Sequence, residues 1–63
     1  MNLARMPGKF RKVRESAGLR QRDVGDAVGV SHVAISRFER DLEGISEATA
    51  QKAAEWLLEQ VMP

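Results

Sequence analysis

The sequence predicts an all-α protein, a small single-domain bundle of four short helices, five at most. Three observations carry this. Apolar residues recur at spacings of three and four, and no segment alternates like a strand between turn signals. Residues 46–61, SEATAQKAAEWLLEQV, are rich in strong helix formers. Two short helical stretches, 21–28 and 31–40, are separated by little more than Gly29 and Val30, so they must cross steeply.

Residues 1–6 read as a flexible arm preceding the domain, which covers 7–63. Pro7 suits the first turn of a helix, where its missing N–H costs nothing. Phe10, Val13 and Ala17 then mark one face of a first helix, about 8–17, and Gly18 supplies its left-handed cap. Leu19 begins the next unit. A second helix over 21–28 places Val24 and Val28 on one face, and Gly29 ends it. Ser31 is a good N-cap for the third helix, which buries Ile35 and Phe38. Residues 41–45, DLEGI, form a loop. Ser46 caps a fourth helix over 46–61, with Ala50, Ala53, Ala54, Leu57 and Val61 sharing a broad apolar face and Trp56 and Leu58 on its flanks.

Gly25 and Gly29 sit inside this pattern although a mid-helix glycine costs about 1 kcal/mol against alanine. A steep helix crossing explains both. Gly25 belongs where the third helix lies against the second and a side chain would push them apart. Gly29 belongs where the turn demands a positive φ, and Val30 plugs that turn into the core.

Composition narrows the function. At 63 residues the chain is near the lower limit for a core that folds alone. It has no cysteine and one histidine, which leaves no disulfide and no His- or Cys-rich metal site. No cofactor is expected. No apolar run approaches the roughly 18 residues of a membrane span, and MNLARMPGKF lacks the apolar segment of a secretory signal, so the expected setting is the cytoplasm. The net charge is only +1, but residues 1–22 hold seven Lys and Arg against Glu15 alone, and residues 23–63 hold three against eight acids. A basic first third points to a polyanion partner. Enzyme chemistry has no support. Ser31 and Ser36 near His32 are explained by capping and surface position, and no glycine-rich phosphate loop is present.

The stretch LRQRDVGDAVGVSHVAISRFER, residues 19–40, resembles the Cro/cI-type (Xre-like) helix-turn-helix family of phage and bacterial regulators. The matching features are Gln21 opening the second helix, Gly25, Gly29 in the turn, Val30, the Ser31-led recognition helix, and its close in Ile35, Phe38, Glu39 and Arg40. The resemblance implies a lambda-repressor-like DNA-binding domain with its third helix, the recognition helix, in the major groove of double-stranded DNA. It puts His32, Val33 and Arg37 at base-reading positions. Arg37 can bond guanine bidentately, Val33 can meet a thymine methyl, and His32 can reach a base edge or a phosphate. Ser36 is short and reaches a base or nothing. Gln21 is the phosphate contact the family pattern implies, with Arg20 and Arg40 beside it and Ser31 as cap or cap and ligand. Arg5, Lys9, Arg11 and Lys12 either track the DNA backbone or are solvated. The family often pairs an arginine of the first helix with the glutamate ending the recognition helix, here Arg14 and Glu39. Two features depart from the pattern: the acidic Asp41-Leu42-Glu43-Gly44 where Gly and basic residues are usual, and the lack of room for a full fifth helix.

The expectation is a transcriptional regulator, a repressor of phage or bacterial type, bound to a pseudo-palindromic operator on the nucleoid. Trp56, Leu58, Val61 and Met62 give the fourth helix more apolar surface than three short helices cover, which suggests a homodimer contact. The alternative is an antitoxin or adaptor that holds a protein partner on the same fold.

Overall fold

A computed structural model describes residues 3–62. Four α-helices follow a short 3-10 turn at Leu3–Arg5: α1 Pro7–Ser16, α2 Gln21–Val28, α3 His32–Glu39 and α4 Glu47–Val61. No strand occurs among the described residues.

Each helix end has a local cause. Pro7 occupies the first turn of α1, where its missing N–H is not needed. The helix stops at Gly18, whose φ of +72° lets the Leu19 N–H turn back to the Arg14 carbonyl at 3.1 Å. Gly29 ends α2 the same way, with φ +80°, and the N–H groups of Gly29 and Val30 both reach the Gly25 carbonyl. The Ser31 and Ser46 hydroxyls accept from the backbone N–H groups of Ala34 and Thr49, each at 3.1 Å, and so cap α3 and α4.

The turn explains Gly25. A Cβ built there would lie 2.6 Å from the Val30 carbonyl oxygen and 3.4 Å from the Ser31 backbone. The close approach is thus to the chain entering α3, one step earlier than the crossing itself.

The core is Leu3, Phe10, Val24, Ile35, Phe38, Ala50, Ala53, Ala54 and Leu57. Phe10 of α1 and Phe38 of α3 meet edge to face at 5.1 Å, an arrangement their ring quadrupoles favour. Small alanines on α4 let the other helices approach closely, while Trp56 and Leu58 are half-buried at its margin.

One expectation is corrected. Residues 3–5 are a turn, not a loose arm, because Leu3 is 2% exposed and closes the core between α1 and α4; residues 1 and 2 of the expected arm lie outside the described residues. Val61, at the end of the apolar face of α4, is 40% exposed, as its place in the uncovered apolar surface of that helix predicts. The fifteen-residue α4 is longer than α1 with ten residues and than α2 and α3 with eight each.

The α3–α4 connection is held tightly. Leu42 N–H donates to the Arg37 carbonyl at 2.8 Å, and Asp41 adopts a left-handed φ of +61° to make that return. Aspartate tolerates this conformation better than most residues with a side chain.

Candidate nucleic-acid interface

Helices α2 and α3 present one surface. Ser31, His32, Val33, Arg37 and Arg40 are exposed on α3 or its ends, and Ser36 is half-buried. At 3.6 residues per turn, positions 32, 33, 36, 37 and 40 fall within an arc of about 140°. Val33, 54% exposed, is an apolar side chain that the fold leaves outside.

The start of α2 lies beside this helix. Arg20, Gln21, Arg22 and His32 line an open hollow of about 370 Å³. Its wall carries two guanidiniums, an amide and an imidazole, next to the unpaired N–H groups of a helix start, a combination suited to an anion. Arg20 does not enter it unopposed. The Asp23 carboxylate accepts the Arg20 backbone N–H at 2.7 Å and meets the guanidinium at 3.3 Å. The backbone contact foremost holds the Asp23 carboxyl below its ordinary range, and the side-chain contact with Asp23 raises the Arg20 guanidinium further. Arg22 is exposed at the same hollow. Its place directly after Gln21 is the one sequence feature that points to it.

Gln21 is less free than expected. Its amide Nε2 donates to Glu39 Oε1 at 3.0 Å. Glu39 in turn takes two bonds from Arg14, Nε to Oε2 at 2.6 Å and Nη2 to Oε1 at 2.9 Å. Arg14 Nη1 also reaches the Leu19 carbonyl at 2.8 Å. The bond to Glu39 is the main reason the Arg14 guanidinium holds its proton more tightly than usual, against the opposing effect of burial. One carboxylate thus joins the end of α3 to α1 and to the first residue of α2.

The cations at the end of α3 are turned onto nearby backbone carbonyls. Arg40 Nε lies 3.4 Å from the Ser36 carbonyl, and Arg37 Nε donates to the Glu43 carbonyl at 3.0 Å. Beyond Arg37 the loop exposes Asp41, Leu42 and Glu43, so the cationic end of this surface is the one at α2. The basic residues of the first third are dispersed: Arg5 pairs with Glu47 at 2.9 Å, Arg11 with Glu15 at 3.5 Å, and Lys9 and Lys12 are exposed along α1. On α4 and just after it, Trp56 and Leu58 are half-buried while Val61 and Met62 are 40% and 68% exposed.

A family model described as helix-turn-helix matches residues 10–57, which includes the whole α2–turn–α3 unit and most of α1 and α4. No curated protein and no solved structure matches the chain. The match covers most of the sequence, and the surface built by α2 and α3 is the one such domains use on DNA; the protein belongs to the Cro/cI-type (Xre-like) helix-turn-helix family of DNA-binding regulators.

Proposed function

We propose that the protein is a sequence-specific regulator of transcription, a repressor that inserts α3 into the major groove as a homodimer on a pseudo-palindromic operator. The observation that carries this reading is the continuous surface formed by the outer face of α3 and the hollow at Arg20, Gln21, Arg22 and His32. Arg37, His32, Val33 and Ser36 face the bases in this reading. Arg20, Gln21, Ser31 and Arg40, joined by Arg22, face phosphates, which position the protein without specifying sequence. The amide of Gln21 has a second N–H beyond the one given to Glu39, and that is the donor for a phosphate. Trp56, Leu58, Val61 and Met62 supply the contact between protomers. The site of action is the cytoplasm, on the nucleoid of a bacterium or a phage-infected cell.

Selection from a random pool of double-stranded DNA tests this reading. Enrichment of an inverted repeat supports a dimeric, sequence-specific reader. Enrichment of a single half-site keeps the reader and removes the dimer. Only weak, salt-sensitive binding with no enriched sequence overturns it.

A second reading, an antitoxin or adaptor that holds a protein partner, draws on one feature. The exposed Asp41-Leu42-Glu43 segment lies next to α3, where a DNA-facing surface gains from positive charge. An adaptor has no need of Arg20, Arg22, Arg37 and Arg40 on one side, which is why DNA is preferred.

A further inference from the structure

We infer that Gly44, which is packed against the recognition helix, is a positioning residue for Arg37 and thereby sets base preference at one position of the DNA site. The inference rests on the base-reading role of Arg37 proposed above.

The geometry is tight. A Cβ on Gly44 would lie 2.6 Å from the Ala34 carbonyl oxygen, 2.9 Å from Arg37 Cβ and 3.2 Å from the Phe38 amide nitrogen. The chain at residue 44 is therefore pressed against α3 at a distance only glycine allows. That contact brings the carbonyl of the preceding residue, Glu43, within 3.0 Å of Arg37 Nε. A second bond, Leu42 N–H to the Arg37 carbonyl at 2.8 Å, fixes the same loop to the backbone of the same residue.

The consequence is chemical. Arginine has five N–H donors in a planar fork and several rotatable bonds along its stem. With Nε–H given to the Glu43 carbonyl, the plane of the guanidinium is set, and the terminal Nη groups remain for the O6 and N7 of a guanine. The arginine is ordered before DNA arrives, so less freedom is lost on contact. A side chain at residue 44 forces the loop outward, because the atoms it meets are mostly backbone. The Glu43 carbonyl then leaves Nε, and Arg37 becomes an ordinary mobile surface cation, able to pair with any phosphate nearby. Preference for guanine falls while attraction to DNA in general remains.

Base preference at every position of the selected site, measured for the native protein, Arg37→Ala and Gly44→Ala, tests this. Arg37→Ala is expected to abolish guanine preference at one position, a loss of about tenfold or more for a bidentate contact. Gly44→Ala is expected to reduce preference several-fold at that same position and to leave the other positions intact. A purely structural role for Gly44 weakens binding evenly at all positions, and that result overturns the inference. Full guanine preference in Gly44→Ala overturns it too, while leaving the base-reading role of Arg37 intact. If Arg37→Ala itself changes no preference, the base-reading assignment fails, and the inference with it. Should Gly44→Ala not fold, nuclear magnetic resonance of the native protein decides. The Arg37 Nε–H is expected to be ordered and protected from exchange relative to that of Arg22; equal mobility of the two overturns the proposal.

Discussion

Arg14 and Glu39 form a bidentate ion pair inside the protein, with Nε to Oε2 at 2.6 Å, Nη2 to Oε1 at 2.9 Å and the side chains 9% and 1% exposed. Their attraction is set against the cost of removing both charges from water, so the pair adds little net stability over an apolar pair of the same size. Breaking it is another matter. Arg14→Ala leaves the Glu39 carboxylate buried with only the Gln21 amide, and a loss of about 3–5 kcal/mol is expected. A domain of this size has a total stability of roughly 3–9 kcal/mol, so the variant loses at least about a third of its stability and at most all of it. The double change Arg14→Met with Glu39→Leu removes both charges and should recover most of the loss. Urea unfolding of the three proteins checks this. A well-folded Arg14→Ala protein of native stability, deficient only in DNA binding, would move Arg14 from the scaffold to the interface.

Two glycines should respond oppositely to the same substitution. Gly→Ala in a helix ordinarily gains up to about 1 kcal/mol. Gly8, in the first turn of α1, has nothing within 4 Å of an added Cβ, so Gly8→Ala should realise some of that gain. Gly25 would place its Cβ 2.6 Å from the Val30 carbonyl oxygen, and Gly25→Ala should cost about 1–3 kcal/mol by prising the turn away from α2. For a domain of this length each kcal/mol moves the melting temperature by about 4–8 °C, so thermal melts separate the two. A stabilised Gly25→Ala protein would mean that the turn yields without cost.

These contrasts mark what could be read before the structure. Gly18, Gly29, Ser31 and Ser46 act within a few residues of themselves, so their signals are local and the sequence carries them. The Arg14–Glu39 pair spans 25 positions, and only resemblance to a family made it visible. Gly44 had no such aid. Its role depends on where the loop passes over α3, which no spacing encodes. The same holds for the bonds from Gln21 to Glu39 and from Arg37 to the Glu43 carbonyl, because a hydrogen-bonding type does not name its partner. Val61 shows the limit of periodicity, which assigns a residue to a face but not what lies opposite that face. Leu3 shows the converse, an apolar residue in an irregular segment that the core nonetheless takes up.

Asp23 should control part of the acid limb of stability. Its carboxyl is held below the ordinary value of 3.8, first by the Arg20 backbone N–H and then by the Arg20 guanidinium. A carboxyl whose folded pKa is depressed stabilises the fold above its unfolded pKa, and the contribution is lost as pH falls through the folded value. Asp23→Asn retains an oxygen for the backbone N–H but carries no charge to titrate. Its urea midpoint should therefore lie below that of the native protein at neutral pH and converge on it in acid below the ordinary aspartate range. Parallel curves throughout would show that the charge of Asp23 contributes nothing to the start of α2.

Arg20 and Arg22 line the same hollow, yet they should differ in their effect on DNA binding. Each phosphate neutralised adds roughly 0.9 to the slope of log affinity against log salt on duplex DNA. Arg22 has no carboxylate partner among the ion pairs of the described residues, whereas Arg20 lies 3.3 Å from the Asp23 carboxylate. Arg22→Ala should then lower the slope by about 1 and weaken binding evenly across DNA sequences. Arg20→Ala should lower it by less, because Asp23 already offsets part of its charge. Titrations at several salt concentrations, on a selected site and on unrelated DNA, measure both slopes. Equal losses would mean that Arg20 leaves Asp23 when a phosphate arrives. An unchanged slope for Arg22→Ala would remove Arg22 from the phosphate contacts and leave that end of the interface to Gln21 and Arg20.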